Sequence, residues 1–174
     1  MDLDAATDLS FTRILAVPRV VICDCWTQAA HISHFFVPAP HKVTACDIDL
    51  RVGGRFTTIF DVGRNVVENK GVYLELIPQQ ELVFTDAYTE GWKPAPDSFM
   101  TVIILLSDAG DGKISYTAMA RHRTAELRQR HEDMEFFDGW GIAATQLEAC
   151  AKAALRAACG LAAGDWLRST LPLE

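Results

Sequence analysis

The chain has 174 residues, with hydrophobic side chains at 49% and charged ones at 22%. These are globular proportions and exclude a disordered chain, a collagen and a coiled-coil rod. Sixteen Lys and Arg against 23 Asp and Glu leave a formal charge of −7, which argues against phosphate-backbone binding and so against a nucleic-acid partner. The length predicts one domain over 1–174, with 161–174 as a C-terminal extension that is either a short helix or disordered. Whether Leu173-Glu174 is native is open. The five cysteines, Cys23, Cys25, Cys46, Cys150 and Cys159, contain no Cys-x-x-Cys pair, so neither a disulfide framework nor a zinc ribbon is expected. An acidic amino terminus without an apolar core does not resemble a signal peptide, and the apolar runs are too short to span a bilayer. A reduced, cytoplasmic protein without membrane insertion is expected.

In chain order, Leu9–Val17 predicts a first strand, and Pro18 suits the first turn of a helix. Arg19–Phe36 predicts one or two short helices, ended by Val37-Pro-Ala-Pro40. From Val43 to His122 the pattern is β. Strands are expected at Val43–Val52, Arg55–Val62, Gly71–Ile77, Leu82–Tyr88, Phe99–Ser107 and Lys113–His122. Gly53-Gly54 marks a turn or bulge, Glu90–Ser98 a loop, and Asp108–Gly112 a hairpin. Six strands in succession predict an antiparallel meander.

Thr124–Cys159 predicts one long helix with Thr124 as N-cap and Gly160 as C′ residue. Its expected apolar stripe is Met134, Phe137, Gly141, Ala144, Leu147, Ala151, Leu155 and Ala158. Glu148 and Lys152 form an i,i+4 pair, and Gly139 with Gly141 predicts a bend or a close contact. A long helix laid on a twisted sheet makes a cavity between them natural, and such cavities hold small-molecule sites.

Ala16-Val-Pro-Arg19 with Cys25-Trp-Thr-Gln28, then Asp47-Ile-Asp-Leu-Arg-Val-Gly-Gly-Arg-Phe56, Gly71-Val-Tyr-Leu-Glu-Leu-Ile-Pro78 with Leu82-Val-Phe-Thr85, and Phe137-Asp-Gly-Trp140 occur in order. Together they resemble proteins similar to the C-terminal domain of the heat-shock chaperone ATPase activator. Cys25 stands where alanine is usual in that family, and Gln28 where aspartate is usual. The resemblance implies an α+β helix-grip (START-like, SRPBCC) fold: a curved antiparallel sheet of about seven strands, two short helices after strand one, and a long C-terminal helix. It does not imply one function, because the superfamily includes lipid and hormone binders, polyketide cyclases and chaperone regulators.

Few residues suggest chemistry. His31 and His34 with Asp24 nearby lack an identified third ligand, so no metal is expected, and Cys23 and Cys25 suit small buried side chains. Neither a nucleophile elbow nor a phosphate loop is present, and no cofactor is expected. Asp49 and Arg51 suggest an ion pair beside the glycine turn. Arg121-His-Arg123, Arg128, Arg130 and His131, interleaved with acids, suggest a solvated helix entry or an anion-recognising rim. Trp26, Phe36, Phe56, Phe60, Tyr73, Phe84, Tyr116, Phe137 and Trp140 are the candidates to line the space between helix and sheet. Glu75, Asp86 or His122 would gain an acid/base role only if they faced that space.

Three functions remain open: a non-catalytic binder of a small apolar or aromatic molecule, an enzyme of the cyclase or dehydratase kind with a pocket general acid/base, and an interaction module for a chaperone or other protein. Ligand identity and oligomeric state, a homodimer included, lie beyond the sequence.

Overall fold

A computed structural model describes residues 2–63 and 65–168, with side chains through 158. The long strands are β1 (Asp8–Leu15), β2 (Lys42–Ile48), β3 (Arg55–Asp61), β4 (Val66–Ile77) and β5 (Glu81–Thr85). The two-residue strands β6 (Tyr88–Thr89) and β7 (Lys93–Pro94) precede β8 (Thr101–Gly110) and β9 (Lys113–Arg121). Helices α1 (Arg19–Thr27) and α2 (Ala29–Ile32) follow β1, and α3 (Ala125–Asp133) and α4 (Phe136–Arg168) follow β9. Seven strands form one antiparallel sheet in the order β1-β9-β8-β5-β4-β3-β2, a meander whose last strand takes β1 as its outer neighbour. β6 and β7 form a small separate hairpin, β6 at the end of the expected Leu82–Tyr88 strand and β7 inside the expected 90–98 loop.

Alternation places Phe56 and Thr58 of β3, Tyr73 of β4, Phe84 of β5, Val102 and Ile104 of β8, and Tyr116 and Ala118 of β9 on one buried face. Helix α4 covers that face with Ala144, Leu147 and Ala151, small enough for close approach. Helix α1 adds Ile22, Cys25 and Trp26, and the α2 region adds Ile32 and Phe35. Gln146 of α4 donates to the carbonyl oxygens of Phe35 and Val37, tying the segment after α2 to the long helix.

The single expected helix is two. The chain turns at Glu135, whose φ of 61° lies in the left-handed region, so the break falls there and not at the glycines. An alanine Cβ at Gly139 or Gly141 would meet only ordinary contacts, at 3.8 and 3.9 Å. The break changes which residues at the start of the stripe face inward. Met134, Phe137 and Leu155 are exposed, while Phe136 is buried and Trp140 packs beside it. The middle of the stripe keeps its phase. α4 also runs through Gly160 to Arg168, so Gly160 does not end it, and Leu173-Glu174 lie outside the described residues. Thr124 does cap α3, its Oγ1 accepting the Leu127 N–H at 3.3 Å. Glu148 pairs with Lys152 at 2.7 Å, and that bond holds its carboxyl below the usual range.

Candidate functional site

The interior between α1, α4 and the sheet is an aromatic cage. Trp26 meets Phe35 edge-on at 5.0 Å and Phe84 at 6.0 Å. Phe56 stacks at 4.3 Å from Phe84 and 5.4 Å from Tyr73, and Phe36 closes over Phe56 at 5.5 Å and Phe60 at 6.5 Å. Six of the nine candidate lining residues thus share one cluster, and Tyr116 is buried in the same core. Phe137 does not belong there. It is 48% exposed, because the break at Glu135 gives the inward position to Phe136. Trp140 sits in a neighbouring cluster with Leu9, Ala120 and Phe136, as well as touching the main core.

The expected cavity is where these rings meet, and the rings stand 4.3–6.5 Å apart, centre to centre. Two clefts flank the cage. One is of about 20 Å³, between Trp26, Leu82 and Ile104; the other is of about 10 Å³, between Phe56, Phe84 and Asp86. Each has room for about one water. Within the cage the Tyr73 and Thr58 hydroxyls are buried with no hydrogen-bond partner. Burial pushes the Tyr73 phenol far up, and the Cys46 thiol beside it up to about 11.

Of the acid/base candidates, Glu75 is exposed on β4. Asp86 is half-buried, and burial raises its carboxyl although the Phe99 and Met100 N–H groups bind it at 2.8 and 3.1 Å. His122 is buried, with Nδ1 2.9 Å from the Thr7 carbonyl and Nε2 2.9 Å from His131 Nδ1. The carboxylate and both imidazole nitrogens therefore already hold protein groups. His131, expected on a solvated helix entry, is buried as well, 7% exposed. Elsewhere in that basic cluster Arg128 pairs with Glu132, Arg121 with Asp8, and Arg130 lies over the Phe99 ring, while Arg123 is exposed. His31 leans on the Asp24 carbonyl at 3.4 Å, and no group of three metal-ligating side chains occurs among the described residues.

Cys25 and Cys150 approach to 3.8 Å between sulfurs without a bond, and burial pushes the Cys25 thiol up to about 12. Thiol titration of denatured, unreduced protein is expected to find five free thiols, with Cys25 the slowest to label in the native state. Recovery of only three would contradict this.

A surface feature escaped the sequence reading. β2 ends at Ile48, and the following 49–54 loop is braced by Arg51 Nε on Asp49 Oδ2 at 2.7 Å, so the expected pair forms beside the turn rather than along a strand. Gly53 has φ 75°, and an alanine Cβ there would stand 2.9 Å from the Trp92 indole. Trp92 itself has φ 59°, unusual for a bulky residue, and is 50% exposed. Tyr88 meets it edge-on at 6.0 Å, Leu50 and Val52 of the 49–54 loop are also exposed, and Glu90 reaches Arg55 at 3.5 Å. The result is an aromatic platform at one end of the sheet, rimmed by ions of both signs. The signal available in the sequence was Gly91-Trp92 in a loop otherwise free of large apolar residues except Tyr88.

Comparison with known proteins agrees with this architecture. Protein NE0264 of Nitrosomonas europaea has 37% identity over 88% of this chain and 99% of its own, with a TM-score of 0.84. Ms6760 of Mycobacterium smegmatis matches at 22% identity over 86% and 93% of the two chains (TM-score 0.72). An AHSA1-like protein of Aeromonas hydrophila matches at 14% over 84% and 93% (TM-score 0.60); these last two speak to the fold alone. A search of curated proteins finds no match. No helix among the described residues is long and apolar enough to cross a membrane. The family model that matches residues 16–152 spans the cage, the Gly53 turn and the Trp92 hairpin, and by it this chain belongs to the activator of Hsp90 ATPase homolog 1-like proteins.

Proposed function

We propose that this chain is a non-catalytic interaction domain that docks on a protein through the Trp92 platform, its partner being a chaperone ATPase of the Hsp90 type. The observation that carries the reading is Trp92: half exposed, in left-handed backbone, with its ring on a glycine. Such backbone costs on the order of 1–3 kcal/mol, and at the tip of this hairpin it lays the indole on Gly53 with half of it in solvent. A held, half-solvated indole with an apolar surround and a charged rim has the make-up of an interface anchor. The partner class is the one in the family's description. Titration calorimetry of a purified Hsp90-type chaperone with the protein tests it. Trp92→Ala is expected to weaken binding by roughly 30-fold, the loss of a hot-spot side chain. Absence of binding by the parent, or equal binding by the variant, would overturn the reading.

A second reading has its own support. The unpartnered Tyr73 and Thr58 hydroxyls face an aromatic interior, where a small, largely apolar molecule carrying a hydrogen-bonding group would meet them if the cage opened. Trp26, Phe36, Phe56, Phe60, Tyr73 and Phe84 would line it. Thermal-shift screening of aromatic alcohols and acids on the parent and on Tyr73→Phe tests this, a shift present in the first and reduced in the second being its signature.

A further inference from the structure

Helix α3 has a polar surface, and among its residues only His131 is buried. That ring inserts between Phe99 at 5.0 Å, Phe136 at 5.0 Å and Trp140 at 6.1 Å, and its Nδ1 meets Nε2 of His122 at the end of β9. We propose that His131 is a pH-sensitive latch: neutral, it docks α3 on the sheet, and protonated, it releases α3 and uncovers the Phe99–Phe136–Trp140 surface.

The proton positions follow from the partners. The Thr7 carbonyl can only accept, so His122 carries its proton on Nδ1 and presents the Nε2 lone pair. His131 Nδ1–H donates to that lone pair. A second proton on His131 puts a full charge among three aromatic rings, and the His122 ring beside it has no free nitrogen left to accept from the new N–H. The charged groups around the pair are already engaged. Asp86, from the β5–β6 connection, is coupled to His122 and is tied to the Phe99 and Met100 N–H groups. On α3 itself Arg128 and Glu132 pair with each other, and Arg130 lies over Phe99 at 5.8 Å. From β1 and β9, Asp8 and Arg121 pair at 3.2 Å, and α4 contributes Asp138 in its first turn. Burial, and then His122, hold His131 down at about 4 from 6.5.

The sign follows by linkage. The docked ring binds a proton more weakly than the released one, so docking is at full strength above pH 6.5 and is lost as pH falls toward about 4. Between those limits the protection factors of α3 amides should fall by about tenfold per pH unit. Native-state hydrogen exchange on the whole chain, with Trp140 fluorescence in parallel, tests it. The expected result is loss of protection in residues 125–133, while β9 and the buried turns of α4 stay protected at the same pH. His131→Leu, which cannot titrate, should abolish the pH dependence of α3 protection. Protection of α3 that does not change between pH 7 and 4.5 overturns the latch. So does loss of protection in all elements together, or an unchanged pH profile in a folded His131→Leu protein.

Discussion

Gly54→Ala is expected to lower stability by about 3 kcal/mol, the upper end of overpacking costs. The added Cβ would stand 2.1 Å from the Asp49 carbonyl oxygen and 2.9 Å from that of Arg51. Neither can yield cheaply, because Asp49 N–H bonds to the Arg55 carbonyl and Gly54 N–H to the Arg51 carbonyl, both parts of the turn between β2 and β3. Gly53→Ala costs less, about 1–2 kcal/mol for a side chain in left-handed backbone, since the indole against it can swing away. At roughly 2–4 °C per kcal/mol for a chain of this size, thermal melts separate the two. The Gly54 variant should lose about 10 °C, and alanine at both positions with an unchanged melt would contradict the turn geometry. Gly53→Ala should also weaken the Trp92 platform while leaving the cage intact.

Phe56→Ala is the second substitution with a large expected effect. Phe56 is fully buried and touches Phe36, Tyr73 and Phe84, so its removal should cost about 3–5 kcal/mol, the range for truncating a core phenylalanine. The variant should also gain a dry hole able to take benzene, as apolar cavities of ring size do. Chemical denaturation gives the first number, and the rise in melting temperature under saturating benzene the second. The parent should show no such rise. If parent and variant respond alike, the interior already holds room for a ring and the filled cage is wrong.

Alternation carried most of the fold. The strands from Arg55, Leu82 and Lys113 begin within a residue of their expected positions, because turn glycines and prolines bound them and one face is buried throughout. Helix α1 begins right after Pro18 for the same kind of local reason. What periodicity could not give was phase across a break. Nothing in Met134-Glu135 distinguishes a left-handed residue from a continuing helix, and a single such residue moved Phe137 outward and Phe136 inward. The small hairpin of β6 and β7 was hidden because two-residue strands carry no alternation to read.

The ring cluster was legible in its members and not in how the rings close on one another. Strand phase brought Phe56, Phe60, Tyr73 and Phe84 together, and helix α1 supplied Trp26. Whether such rings enclose a space or close on each other depends on Phe35 and Phe36, at the end of the α2 segment, where no sequence rule fixes their direction. Burial of His122 and His131 was equally invisible. Their nine-residue separation spans a strand end and a helix, so only the fold brings them within 2.9 Å.

The central claim is that partners meet this domain at its Trp92 end and not in its interior. Backbone and indole NMR shifts, followed while a purified Hsp90-type chaperone is titrated in, test it most directly. The account predicts shifts over residues 49–54 and 88–94 with Trp92 Nε1 the largest, and little change at Trp26, Phe56 and Tyr73. Shifts concentrated on the cage, with the Trp92 hairpin unmoved, would contradict it.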